Sequence, residues 1–70
     1  MRREPVISID LRSVGWENNI LEVEFTNNIV LQYHPVPEDV YTALMQAQSK
    51  TIYFQKHVRN VYVSRRAFAI

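Results

Sequence analysis

The chain has 70 residues, no cysteine, one glycine and a formal net charge of +1. That confines it to one domain, 1–70, held by packing and excludes a disulfide framework or a thiolate metal site. With 47% hydrophobic residues it carries too much apolar material for a disordered chain.

Pro5 to Asp10 reads as an extended lead-in. Leu11–Trp16 predicts a first strand, with Leu11 and Ser13 on one side and Arg12, Val14 and Trp16 on the other. Glu17-Asn18-Asn19 is turn chemistry, because asparagine tolerates positive φ. Ile20–Phe25 alternates cleanly, placing Leu21, Val23 and Phe25 inward and Glu22 and Glu24 toward water. Thr26-Asn27-Asn28 is the next turn, and Ile29–His34 repeats the alternation with Ile29, Leu31 and Tyr33 on one face.

Pro37 suits the first position of a helix, since its missing N–H is an orphan donor there. Glu38 and Asp39 complement the helix dipole, and Val40, Ala43, Leu44 and Ala47 form one apolar stripe. Ser49 predicts the N-cap of a second helix that runs to Arg59 and stops at Asn60. Ile52 and Val58 are expected on its buried side, with Tyr53 or Phe54. Val61-Tyr62-Val63 reads either as a short C-terminal strand or as an extended tail. The expected fold is a two-layer α+β domain, a three-stranded antiparallel meander covered by two helices in the order β-β-β-α-α.

The ordered series Ser13-Val14-Gly15-Trp16, Leu21-Glu22-Val23-Glu24-Phe25, Leu31-Gln32-Tyr33, Val36-Pro37, Val40-Tyr41, Leu44, Ala47, Ser49 and Tyr53-Phe54, continuing through His57-Val58-Arg59 and Tyr62, resembles the KTSC domain family. That family takes its name from the C-terminal domain of some lysyl-tRNA synthetases and also occurs as small stand-alone bacterial proteins. The resemblance spans nearly the whole chain. Its usual Tyr-X-Tyr in the central strand appears here with Leu31 in the first position and Tyr33 in the second, and its usual turn glycine appears as Asn28. Loss of the first phenol hydroxyl with retention of an apolar body implies that position 31 packs. For function the resemblance implies only an association with RNA.

The charge distribution is uneven. Residues 1–49 hold three arginines against all seven acids, a net of −4, while residues 50–70 hold five cations and no acid, a net of +5. Such asymmetry points toward an anionic partner. In this second half Lys50, Lys56, Arg59, Arg65 and Arg66 are expected to neutralise phosphates, and Tyr53 or Tyr62 to stack on a base. The first functional reading is therefore an RNA-binding accessory domain, its partner tRNA or single-stranded RNA. The competing reading is a protein-protein interaction module using an exposed Trp16 face, with outward Val14 and Val30, or the apolar C-terminal tail Phe68–Ile70.

Other chemistry is disfavoured. The serines, histidines and aspartates lack the flanking pattern of a nucleophile elbow, so no enzyme is expected. His34 and His57 have no ligand at metal spacing, and the lone Gly15 excludes a glycine-rich phosphate loop, so no metal or cofactor is expected. No stretch reaches the roughly 18 apolar residues of a membrane span, and no secretory apolar core follows the basic start, so a cytoplasmic location is expected. Oligomeric state stays open.

Overall fold

The computed structural model describes residues 1–67. Five antiparallel strands form one sheet in chain order: β1 (Glu4–Pro5), β2 (Leu11–Glu17), β3 (Ile20–Phe25), β4 (Val30–His34) and β5 (Val63–Arg66). Helix α1 (Glu38–Gln46) and helix α2 (Lys50–Phe54) lie between β4 and β5, and a π-helical turn (Gln55–Arg59) extends α2. The α+β class, the three-stranded meander and the two covering helices agree with expectation, the C-terminal strand held as an alternative is present as β5, and β1 is additional. Two edge strands flank the expected three. β1 pairs with β2 and β5 pairs with β4.

Asparagines set the hairpins. Asn18 and Asn19 have φ of 51° and 65° and join Glu17 to its partner Ile20. Two successive positive-φ residues match the right-handed strand twist, as in type I′ turns. In the next hairpin Asn28 takes φ 71°, while Phe25 N–H donates to Ile29 O at 2.9 Å. The peptide bond between His34 and Pro35 is cis, and Val36 N–H then donates to Asn19 O at 2.8 Å. Thus the tip of the first hairpin anchors the link into α1.

One sheet face carries Leu11, Val14, Leu21, Val23 and Tyr33, and meets Leu44, Phe54 and Val58 of the helical layer, with Val36 from the link. Phe54 packs edge-on against Phe25 at 5.6 Å and against Tyr33 at 5.5 Å, the T-shaped arrangement that ring quadrupoles favour.

Several side chains differ from expectation, each for a definable reason. The register of β2 shifts between Leu11 and Ser13, so Leu11 and Val14 share the core face while Ser13 turns to the other. Val14 is consequently fully buried rather than outward. Val30 does share the open face with its partner Glu24, yet it is buried there. Pro37 is the N-cap of α1, in extended conformation, rather than its first helical residue. Ser49 caps α2 by accepting Ile52 N–H at 3.3 Å, and the helical run ends at Asn60 as expected. Ile52 is 53% exposed. It precedes Phe54 by two residues, about 200° around the helix, and cannot share its buried side. Val61 and Tyr62 form the turn into β5, and the strand itself begins at Val63.

Candidate nucleic-acid interface

The seven residues expected to contact RNA fall into distinct settings. Lys50 is half-buried and donates from Nζ to the carbonyl of Ala47 at 3.0 Å, closing the α1–α2 junction. Tyr62 is half-buried and packs against the core. Tyr53 is half-buried too, with its ring 4.5 Å from that of His57 and tilted by 36°. The remaining four, Lys56, Arg59, Arg65 and Arg66, are exposed, and among the described residues none makes a salt bridge.

Strand parity divides the two β5 arginines. Arg66 lies opposite Leu31, on the helical side of the sheet, whereas Arg65 lies opposite Gln32, on the open side. Arg59 closes the π-helical turn and faces β4, where its charge acts on the Tyr33 hydroxyl. Burial pushes the Tyr33 phenol above its ordinary value of 10.0, while the Arg59 guanidinium and a hydrogen bond with Ser64 pull it back. Arg59, Ser64 and Arg66 therefore gather around Tyr33 and Leu31 at the sheet margin, with Lys56 on the outer side of the turn.

Beside this margin, residues of α2, the π-helical turn, the β3–β4 hairpin and the start of β2 border a cleft of about 320 Å³. Its walls include Thr51, Gln55 and Arg59 on the helical side and Thr26, Asn27 and Asp10 on the other. Phe25, Leu31, Tyr33 and Phe54 supply its apolar surface.

The KTSC domain model matches residues 7–62. The chain belongs to the KTSC domain family. An uncharacterised protein from Stutzerimonas stutzeri (strain A1501) is 40% identical over 58 residues, covering 80% of this chain and 82% of that protein. The crystal structure of a KTSC domain protein from Yersinia pestis superposes with a TM-score of 0.92 at 30% identity, covering 96% of this chain and 97% of that one. Within this KTSC chain Leu31 is half-buried against the core, so the position does pack.

The open face of the KTSC sheet holds a polar network that the strand alternation conceals. Glu22 is only 6% exposed rather than facing water. Its carboxylate pairs with Arg3 Nη1 and accepts from Gln32 Nε2 at 2.8 Å. Arg3 Nε donates to Ser13 Oγ at 2.9 Å, which in turn donates to Glu24 Oε1 at 2.9 Å. Arg12 Nη1 stands 3.9 Å from Glu24. The N-terminal segment reaches this position by crossing Gly15, where a Cβ would collide with the carbonyl oxygen of Arg2. A glycine inside a strand often marks such a backbone approach, and that was the available signal.

The residues of the competing interaction face are also placed. Trp16 is half-buried, packs against the core and donates from Nε1 to Val36 O at 2.8 Å, so it does not form an exposed face. The tail residues 68–70 lie outside the described residues. Among the described residues no three His, Cys, Asp or Glu side chains group as a metal site requires, and no helix is long and apolar enough to cross a membrane.

Proposed function

We propose that this KTSC domain is a non-enzymatic accessory domain that contacts RNA through Lys56, Arg59, Arg65 and Arg66, at the margin built by the π-helical turn and β5. One observation carries the reading: Glu22 and Glu24 take their ion pairs from Arg3 and Arg12, leaving the C-terminal cations exposed and without acidic partners among the described residues. Cations left this way can neutralise phosphates and release counterions without first breaking an internal pair. The half-buried ring of Tyr53, tilted against that of His57, offers an aromatic surface for an unpaired base.

The test is electrophoretic retention of tRNA and of single-stranded RNA at rising salt. Four phosphate contacts on a single strand give a log–log salt slope of about −3. The double substitution Lys56→Glu with Arg59→Glu is expected to abolish retention at moderate salt while changing the unfolding free energy by no more than the roughly 0.5 kcal/mol typical of surface changes. Absence of any shift by the wild-type chain at low salt sinks the reading.

A second reading, a protein-interaction surface, rests on Ile7 at 100% and Ile9 at 85% exposure, beside a depression lined by Ser49 and Thr51. Binding through such an apolar patch is expected to persist at salt concentrations that release RNA.

A further inference from the structure

The cleft between the helical layer and the β3–β4 hairpin has a chemistry distinct from the exposed cation margin. Its volume of about 320 Å³ lies within the range of about 300–1,000 Å³ typical of small-ligand sites. Phe25 and Leu31, both half-buried, supply the accessible apolar surface on which a planar ring rests, with Tyr33 and Phe54 packed beneath them in the core. The two ends carry opposite charge. Asp10 sits by the hairpin, its backbone carbonyl accepting Thr26 N–H at 2.9 Å, while Arg59 sits toward Tyr33. Gln55 lines the helical wall on the same side as Arg59, and both belong to the π-helical turn. Such turns are uncommon and recur at functional sites.

We propose that this cleft binds one unpaired nucleotide, with its base on the apolar surface and its phosphate on Arg59. The choice of a nucleotide rests on the RNA-contacting reading above; the site itself stands on the cleft. Arg59 supplies a fork that matches phosphate geometry. Asp10 repels the phosphate and, being able only to accept when ionised, faces a base edge that carries amino hydrogens. The orientation of the nucleotide follows from those two charges. The same chemistry is offered by the end of an RNA strand and by a free mononucleotide.

The experiment is an amide chemical-shift titration of the full chain with GMP, AMP and UMP, with inorganic phosphate and ribose 5-phosphate as controls. A 5′-phosphorylated single-stranded hexanucleotide and a blunt RNA duplex are titrated alongside. The expected result is saturable shifts at Thr26, Asn27, Leu31, Thr51 and Gln55, larger for GMP and AMP than for UMP, and absent with inorganic phosphate. Leu31→Trp, which fills the cleft without changing charge, is expected to weaken mononucleotide binding at least about tenfold, as is Arg59→Gln, a loss of roughly 1.4 kcal/mol. Mononucleotide shifts confined to Lys56, Arg65 and Arg66, or a folded Leu31→Trp chain with unchanged affinity, overturn the proposal. Cleft shifts with mononucleotides but no retention of RNA overturn the RNA reading and assign the site to free nucleotides. Retention of RNA without cleft shifts does the reverse.

Discussion

The two sides of this small sheet treat charge in opposite ways. On the open face, Glu22, Glu24, Arg3, Arg12, Ser13 and Gln32 satisfy one another, and Glu22 is withdrawn from water. At the margin made by the π-helical turn and β5, cations stand exposed with no acid beside them among the described residues. Both regions are rich in arginine, so residue type does not separate them. What separates them is whether the fold also delivers a carboxylate. The first arrangement satisfies its charges within the fold. The second contributes little to stability and leaves its charge available.

The strongest way to break this contrast is Arg3→Ala. It strips the principal cation from a buried carboxylate, for which the cost is about 3 kcal/mol, toward the low end for buried pairs because Arg3 retains some contact with water. Urea unfolding should show a lower midpoint at unchanged slope, and a midpoint shift no larger than that of a surface substitution would refute the role of the open face. Gly15→Ala should act on the same network from below. The new methyl group meets the Arg2 carbonyl and must lift the N-terminal strand, at about 1–3 kcal/mol. Hydrogen exchange is expected to quicken in β1 and its pairing with β2 while β3 and β4 stay protected.

The smallest effect sharpens the other side. The Tyr33 phenol is raised above 10.0 in the folded chain, chiefly by burial. The folded state therefore keeps its proton at a pH where the unfolded state has lost it. That contribution is intact below about pH 10 and is lost as pH rises toward the folded value, at no more than about 1.4 kcal/mol per pH unit. Tyr33→Phe should remove this alkaline component, and the difference between the two pH profiles of stability measures it. Equal profiles would mean that the Tyr33 hydroxyl has the same affinity for its proton in both states.

Much of the architecture is readable from local pattern, and the failures are equally local. The alternation of Leu21, Val23 and Phe25 with two glutamates identifies β3 because one face is buried along its whole length. Ser49 is readable because a cap uses only its own neighbours. β1 is invisible to the same reasoning, and β5 is readable only as one of two alternatives, placed two residues too early. β1 has two residues, and all four residues of β5 are exposed, so neither shows a burial period. Val14 is misplaced because one register shift reverses every side chain beyond it. In the candidate site, composition identifies the cations but not their directions. Adjacent Arg65 and Arg66 read as one cluster, yet a strand sends them to opposite sides. The withdrawal of Glu22 depends on a segment nineteen residues away returning over it, a long-range event announced only by Gly15.

The two edge strands also bear on where this domain should be considered to stop. The family match covers residues 7–62, which leaves β1 and β5 outside at either end. A chain trimmed to those limits would keep every one of the most deeply buried side chains. It would nevertheless lose Arg3, uncovering a carboxylate in the middle of the sheet, and would turn β2 and β4 into raw edges open to pairing with other chains. The matched sequence is thus the interior of the domain, and the strands that close its edges lie outside that match.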